Sequence, residues 1–460
     1  MKTYVFVLSA VCLCFSLQTG AAAAAAGLLE PGSELTLSQA ITIGLHNHPL
    51  RKEATSETQA TTDRVGEAQS FLLPQLYGTA EYLRSTNNGI GNTSYYNFLD
   101  SFPRVPGRNH NLPSNDFSQS TMSSNNYLGG LSVSQFLFDF GRRRGFVAQR
   151  RDEAAASLAS ARLTDLDLIF EVSQRYFALL AAKQLVRVYE KAVEQRQFHL
   201  HEARVKANAG LRPRLDIYVT QAEVERAQLH LVDARNAQLD AKVALDNALG
   251  LSGSNPSYHL ADVLTYGTIS DQLPGLLQTA FNDRPDIKVL EDRARAMGAQ
   301  IVQYRSDYFP TASLQSGYTA MGTGLPAANN FDVGFVISWP LFNGYLTTNE
   351  IDEAKARRQA TQYALDDLRQ RIILEVKTAF LNWQASLDRI NRAQQTLIAS
   401  RVELELAEKR YQAGLTNIVE LEDAQRHYTY DDAEYANSLY GFSLTKAVVD
   451  RATGRSLKGE

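Results

Sequence analysis

Apolar residues in the second half of the chain recur at alternating steps of three and four. The apolar positions are Ile373, Val376, Phe380, Trp383, Leu387 and Ile390, and the same phase continues at Leu397, Leu404 and Tyr411. A mean step of about 3.5 residues is typical of helices that supercoil around their neighbours. Because residues 345–413 also contain no proline, the spacing predicts one helix over this stretch. At ~1.5 Å per residue such a helix is roughly 100 Å long, which is too long for a compact globular domain.

The same pattern lies 204 residues earlier, where residues 142–209 also contain no proline. Its apolar positions are Ile169, Val172, Tyr176, Leu179, Val193 and Leu200, and Lys183 interrupts the stripe once. Each long stretch ends at a glycine, Gly210 or Gly414, as expected for a left-handed C-terminal cap. A second helix is predicted to follow, to Gly250 or Gly454, so each half of the chain predicts a helical hairpin.

Ahead of each long helix, the pattern changes from helical to period two. Shorter helical stretches are predicted over about 38–72 and 276–308. In the second half, the apolar residues of two strands are Ala312, Leu314, Tyr318 and Ala320, then Phe331, Val333, Phe335, Ile337 and Trp339. In the first half, Tyr127, Leu131 and Val133 share one face. Runs of about ten residues with one apolar face are typical of outer-membrane strands, and also of half-buried hairpins in soluble proteins.

These patterns belong to a duplicated unit whose internal spacing changes once. Pro49 and Pro74 recur 236 residues later as Pro285 and Pro310, whereas the hairpin glycines recur 204 residues later. The 32-residue difference falls in the polar loop 83–126. A duplication with one variable loop indicates a pseudo-symmetric architecture. The predicted domains are a signal peptide over 1–26, a first repeat over 27–252, a linker over 253–272, a second repeat over 273–455 and a tail over 456–460.

The N-terminal segment has the features of a secretory signal. Lys2 precedes an apolar run over 4–17 and six alanines over 21–26, and this order of charge, short apolar core and small residues is typical of a cleaved signal. A membrane anchor is the alternative, although a bilayer span needs roughly 20 apolar residues. Cys12 and Cys14 both lie in this segment, so the mature chain is expected to contain no disulfide and no thiolate metal site. Acylation of Cys12 is the other possibility.

Charge and motifs exclude several function classes. The net charge is −4, from 46 basic and 50 acidic residues, and this balance gives no indication of nucleic-acid binding. The eight histidines form no metal-binding pattern, and no nucleophile–base set is present. The sequence therefore predicts no enzyme, no cofactor and no metal.

Membrane strands in this chain would need partners. The smallest membrane barrels have about eight strands, and an open sheet in lipid would leave backbone groups unpaired. Four strands from each of three copies would give a closed barrel of sensible width. The alternative is an exported coiled-coil scaffold or adhesin whose strands form a soluble hairpin sheet.

Several features occur together in this chain: the signal, the paired units, the proline ahead of a strand, Leu-Phe-Asn-Gly at 341–344 and Ala-Gly-Leu at 209–211 and 413–415. In combination they resemble the TolC family of outer-membrane efflux proteins. The resemblance covers essentially the whole mature chain. It implies a mainly α fold with membrane β, in which a trimeric twelve-stranded β-barrel, four strands per chain, continues as a long α-helical coiled-coil barrel in the periplasm. It also implies an exit duct of a tripartite efflux or secretion system, which passively conducts substrates delivered by an inner-membrane transporter and its periplasmic adaptor. The loop 83–126 is then expected to face outside the cell.

The resemblance assigns acidic residues to the narrow end of the tunnel. Glu420 and Asp423 match two acidic positions that line this end in the family, and residues at i and i+3 share a helix face. Threefold symmetry would gather six carboxylates around one axis. A solvated acidic face is the alternative without the family context. The turns Gly210, Leu211, Gly414 and Leu415 are implied to be the tips that meet the adaptor.

The resemblance also implies a latch that holds the narrow end closed. Tyr411 and Asp216 match family residues that bond between neighbouring hairpins. Thr416 stands where some members have an arginine of this latch, so this chain departs from the family pattern at that position. Arg212 and Arg214, on the first turn, are the candidates to replace it.

Overall fold

The computed structural model describes residues 32–86, 123–251, 256–261, 269, 272–323 and 328–455. The order of elements is β1 (Ser33–Leu35), α1 (Leu37–Asn47), α2 (Pro49–Ser70), β2 (Gln75–Thr86), β3 (Ser123–Phe138), α3 (Arg142–Asn208), α4 (Leu215–Ala248), β4 (Tyr258–Leu260), α5 (Leu273–Asp283), α6 (Pro285–Ser306), β5 (Thr311–Gly322), β6 (Ala328–Ser338), α7 (Leu346–Gln412) and α8 (Ile418–Thr453). The predicted signal 1–26, the tail 456–460 and the loop positions 87–122 lie outside the described residues. Each half of the chain contains the same order of two short helices, two long strands, one long helix and a shorter helix that returns along it, here called the returning helix.

The two long helices confirm the predicted periodicity. α3 and α7 each contain 67 residues, and both their first and their last residues are 204 positions apart. Much of the stripe is buried or partly buried in the single chain, and Val172, Tyr176, Val376 and Tyr411 are all at most 2% exposed. In the part of the chain that the structure describes, no helix combines the length and the apolar character needed to cross a membrane.

Both long helices end in the same turn. Leu211 N donates to Lys206 O at 2.9 Å, and Leu415 N donates to Arg410 O at 2.9 Å. This i to i−5 bond satisfies carbonyls at the helix end and requires a left-handed residue just before the donor. Gly210 and Gly414 have φ of +73° and +75°, so the predicted caps are confirmed.

The shorter helical stretches differ from the prediction, because each is two helices and not one. α1 ends at Asn47 and α2 begins at Pro49, and the same break separates α5 from α6 at Pro285. The residue before a proline is driven out of the helical region, and proline itself is well suited to the first position of a new helix. His48 and Arg284 accordingly have extended backbones, with ψ of 130° and 124°.

The four long strands form one antiparallel sheet in the order β2-β3-β5-β6. They are longer than predicted, because β2 and β3 each take four residues from the ends of the predicted loop 83–126, and β5 and β6 extend beyond Ala320 and before Phe331, the limits of their predicted apolar sets. β6 ends earlier than its counterpart β3, and Trp339 lies just beyond it. Pro340 follows at this point, and a proline cannot donate a ladder bond.

One face of this sheet is apolar across all four strands. Tyr318 on β5 is paired with Phe331 on β6 and with Leu131 on β3, and Leu76 on β2 is paired with Val133 on β3. Because residues two apart share a face, the predicted period-two sets lie on one surface. The β6 residues Phe331, Val333, Phe335 and Ile337 are 58–68% exposed in the single chain. The strands β2 and β6 form the two edges of the sheet.

The described residues divide into two compact units, each drawn from both repeats. The second unit covers Glu57–Ala159 and Lys288–Asp367 and contains the sheet, and the first covers the residues up to Ser56, Ser160–Ile287 and those from Leu368 onwards. In the first unit, Tyr176 Oη lies 3.0 and 2.9 Å from the carbonyls of Leu35 and Ala261, next to the paired strands β1 and β4. β4 lies in the segment where the sequence predicted only a linker. This division by compactness does not test the repeat boundaries, which stay a prediction.

Candidate functional site

The predicted tips are the connections between the long helices and their returning helices. Leu211 follows α3 and is 75% exposed, and Leu415 follows α7 and is 74% exposed. A Cβ built on Gly210 or Gly414 would meet no heavy atom within 4 Å. Both turns therefore present an apolar side chain with open space around the backbone.

Tyr411 and Asp216, the predicted latch pair, are in contact. The Tyr411 hydroxyl donates to Asp216 Oδ2 at 3.3 Å, and both residues are buried. Tyr411 lies on α7 and Asp216 lies in the first turn of α4, so the bond joins the two hairpins. Burial, and next the Asp216 carboxylate, raise the pKa of the Tyr411 phenol to about 12. The phenol therefore stays protonated and donates this bond throughout the neutral range.

An arginine also holds Tyr411, and it comes from the first hairpin. Arg212 Nη2 donates to the Tyr411 carbonyl at 2.9 Å, and the Arg212 guanidinium lies 4.6 Å from the centre of the Tyr411 ring. Lys206 Nζ lies 5.0 Å from the same ring centre. A cation over an aromatic face is attracted by the ring quadrupole. Of the two candidates to replace the latch arginine, Arg212 makes this contact, whereas Arg214 is exposed.

Glu420 and Asp423, the predicted constriction residues, are each paired with an arginine of the same chain. Arg410 Nε lies 3.1 Å from Glu420 Oε1, and Asp423 is paired with Arg426. The Thr416 hydroxyl donates to Glu420. The predicted acidic surface therefore also carries matching positive charges, which were not part of the prediction.

Sequence reasoning missed a buried group of ionisable residues beside this surface. Glu422 lies between the two predicted constriction residues, yet it is 3% exposed, and it neighbours the buried pair Arg196 and Glu223. The helical spacing could have indicated that Glu422 faces away from the acidic surface, because a step of two residues turns Glu422 about 200° away from Glu420. Arg196 and Glu223 had no such signal, since only tertiary packing brings them there.

Within the described ranges, no group of three or more His, Cys, Asp or Glu residues is placed to hold a metal ion. The site is a set of hydrogen bonds and ion pairs between two helical hairpins, next to exposed carboxylates. Such a set can hold helices together or let them separate, and it can select among ions by charge.

A family model described as outer membrane efflux protein matches residues 41–251 and 276–455, which is most of the chain. This chain belongs to the outer membrane efflux protein family. The match begins in α1 and ends just after α8, so it covers most of each predicted repeat. Membership favours a channel over the exported scaffold that the sequence left open.

Two relatives and one solved structure agree with this assignment. The chain is 26% identical over 367 residues to the cation efflux system protein CusC of Escherichia coli, and the alignment covers 76% of this chain and 78% of that protein. It is 24% identical over 434 residues to the outer membrane protein TolC of Escherichia coli, covering 89% of this chain and 80% of that protein. A crystal structure of CusC superposes with a TM-score of 0.77 at 21% identity, covering 94% of this chain and 96% of that chain. That superposition confirms the fold, with four antiparallel strands and long helices.

As a member of the outer membrane efflux protein family, the protein is an outer-membrane efflux channel and not an enzyme. Channels of this family are typically trimeric and work with the other components of an efflux pump. The prediction from the sequence is confirmed in fold, location and general function.

Proposed function

We propose that three copies of this chain form one continuous exit duct, which passively conducts substrates that an inner-membrane transporter and its periplasmic adaptor deliver. The observation that carries the proposal is the sheet, with its exposed apolar face and its edges β2 and β6. Backbone groups at an open edge cannot remain unpaired in lipid, so β6 of one copy is proposed to pair with β2 of the next. Three copies supply twelve strands, and the apolar face contacts the outer-membrane lipid.

The hairpin ends are proposed to be the gate of this duct. Glu420 and Asp423 of three chains form the constriction, and the Tyr411–Asp216 bond holds each chain in the closed state. Arg212 takes the part of the latch arginine, because it contacts both the carbonyl and the ring of Tyr411. Arg410 and Arg426 offset part of the acidic charge, so we propose weaker cation selectivity than six unpaired carboxylates would give.

The tips are proposed to be the adaptor-docking surface. Gly210, Leu211, Gly414 and Leu415 are exposed at the turns, and the two leucines offer apolar side chains to a partner. Exposed apolar residues on a rigid turn are suited to protein contacts. The same turn in both repeats would give six similar docking points around a trimer.

Single-channel recording tests the proposed function. Purified protein in planar bilayers should show small, long-lived conductance, and Glu420→Gln with Asp423→Asn should lower the cation preference of the reversal potential in a salt gradient. Cross-linking and native mass spectrometry of the same sample should give a trimer. A monomer in mild detergent, or a sample without conductance, would refute the duct.

A further inference from the structure

Behind the proposed constriction lies a set of buried polar side chains, Arg196, Glu223, Glu422 and Gln425, which we call the buried carboxylate cluster. All four residues are at most 6% exposed. Arg196 comes from α3, Glu223 from α4, and Glu422 and Gln425 come from α8. The cluster therefore joins the helix that holds the constriction residues to both helices of the other hairpin.

In the described part of the chain, the hydrogen bonds of the cluster leave Glu422 without a donor. Arg196 Nη1 donates to the Glu223 carbonyl at 3.2 Å and lies 3.5 Å from Glu223 Oε2. Glu223 is also paired with Arg226, and Gln425 Nε2 donates to Gln195 Oε1 at 2.9 Å. Among the described residues, neither carboxylate oxygen of Glu422 has a hydrogen-bond partner. A buried ionised carboxylate without donors is costly, whereas the protonated form is much less so.

The charged residues around Glu422 have opposite effects on the ionisation of its carboxyl group. Arg196 from α3, Arg226 from α4 and Arg426 from its own helix favour the ionised form, whereas Glu223 from α4 disfavours it. Burial is the largest effect, and together these causes raise the pKa of the Glu422 carboxyl to about 7. Glu422 therefore gains or loses a proton in the neutral range.

The position of Glu422 gives this proton a mechanical consequence. Leu421 and Ala424, on either side of the Glu422–Asp423 pair, are at most 2% exposed and belong to the apolar cluster that contains Tyr411. The first turns of α8 thus hold the constriction residues on one side and Glu422 on the other. A change in packing at Glu422 therefore acts on the same helix that carries Glu420 and Asp423.

We propose that Glu422 is a positioning residue for the constriction: its protonated form packs the start of α8 against α3 and α4, and loss of the proton loosens this contact and lets Glu420 and Asp423 move apart. The inference rests on the constriction proposed above. It gives the duct a response to pH in which acid favours the closed end and mild alkali favours opening.

Hydrogen exchange of the intact trimer tests the inference without reference to conductance. Peptides covering 418–425 should lose protection about tenfold between pH 6 and pH 8, after correction for intrinsic exchange rates. Glu422→Gln cannot ionise, so its protection should be equal at both pH values. A pH step of unchanged size in Glu422→Gln would overturn the proposal. Glu422→Leu replaces the carboxyl with an apolar group and serves the same comparison if the glutamine variant gives little protein.

Two further variants make the test specific to the cluster. Glu223→Gln removes the carboxylate that opposes ionisation of Glu422, so the midpoint of the pH step should move to lower pH; an unmoved midpoint would also overturn the proposal. Glu405→Gln is the matched control, because Glu405 is an exposed glutamate of α7 paired with Lys409. It should leave the pH step as in the unmodified protein.

Conductance measured at the same pH values separates the two proposals. If protection and conductance both change with pH, and both changes disappear in Glu422→Gln, the positioning role is supported. If protection alone changes, Glu422 still positions the helix, but Glu420 and Asp423 do not limit the current and the constriction proposal fails.

Discussion

At the residue scale, Tyr411 joins three kinds of interaction in one buried position. Its hydroxyl bonds to Asp216, its carbonyl accepts from Arg212, and its ring lies under the Arg212 and Lys206 cations. Burial keeps its pKa at about 12, so the phenol does not titrate near neutrality. The proposed latch is therefore expected to stay constant across physiological pH, and a pH response of this end has to come from another group.

Replacing Tyr411 with Phe removes only the hydroxyl. The ring and its packing remain, so the loss is one hydrogen bond to a carboxylate, worth about 1.5–3 kcal/mol, and Asp216 is left with an unused buried oxygen. We expect a larger single-channel conductance and a slightly lower thermal unfolding temperature. Tyr430→Phe is the control, because Tyr430 is 69% exposed on α8. Equal conductance in the two variants would contradict the latch.

Arg212 and Arg214 offer a second matched pair. Arg212→Ala removes the bond to the Tyr411 carbonyl and the contact with its ring, whereas Arg214 is exposed. Because the lost bond has a charged donor, it is worth about 1.5–3 kcal/mol. We expect Arg212→Ala to raise the conductance, as Tyr411→Phe does, and Arg214→Ala to leave it unchanged. The same effect from both would mean that turn charge, not the latch, controls the gate.

Glu422 should make stability fall as the pH rises. Its folded pKa, about 7, lies above its usual value of 4.5, so between these values the folded chain binds more protons than the unfolded chain, and stability decreases with increasing pH. The difference corresponds to about 3 kcal/mol per chain above pH 7. Glu422→Leu should therefore raise the thermal unfolding temperature more at pH 8 than at pH 4.5. An equal change at both pH values would show that Glu422 does not titrate in this window.

At the element scale, the two hairpins use glycine in two different ways. Gly210 needs a left-handed backbone but has open space where a Cβ would lie. Gly250 needs the same backbone, and its Cβ would also lie 3.0 Å from the Asn47 carbonyl carbon at the end of α1. The tip glycine thus serves the turn alone, whereas Gly250 also permits close packing.

Replacing each of these glycines with alanine should distinguish the cost of a left-handed backbone from the cost of a close backbone contact. A left-handed backbone costs an L-residue about 1–2 kcal/mol, so Gly210→Ala should lower the thermal unfolding temperature slightly. Gly250→Ala adds a tight contact of the new Cβ with the Asn47 backbone and should lower both the unfolding temperature and the yield in the outer membrane further. If Gly210→Ala were the more harmful change, the open space at the tip would be in question.

The elements also show which features the sequence could predict. The long helices could be predicted, because apolar residues such as Val376 and Tyr411 recur at helical spacing and are buried in the structure. The break at Pro49 follows from proline chemistry, but the stretch 38–72 predicts one helix because its composition is helical on both sides of the proline. The pairing of Arg196 with Glu223 was not predictable, because residues from separate helices meet only after the hairpin packs.

At the scale of the whole molecule, the sheet is the part of the chain proposed to contact the membrane and the other copies. The period of two predicted the apolar face, and the register from β2 to β6 confirms that this face is continuous within one chain. Which edges remain open was beyond the sequence, since strand order depends on how the two repeats pair. In the structure β3 of the first repeat pairs with β5 of the second, which leaves β2 and β6 at the edges.

Charge placed on the two faces of β6 tests this membrane assignment. Phe335 belongs to the apolar face, and the adjacent Val336 points to the opposite face. An arginine on the lipid face of a barrel costs about 2–4 kcal/mol near the bilayer centre, whereas a lumen position tolerates it. Phe335→Arg should therefore reduce the amount of trimer in the outer membrane, with the cost repeated in each copy, and Val336→Arg should assemble and change the ion selectivity. Membrane fractionation and gel mobility of the trimer measure both outcomes. Normal assembly of Phe335→Arg together with loss of Val336→Arg would mean that the lipid and lumen faces have been assigned the wrong way round.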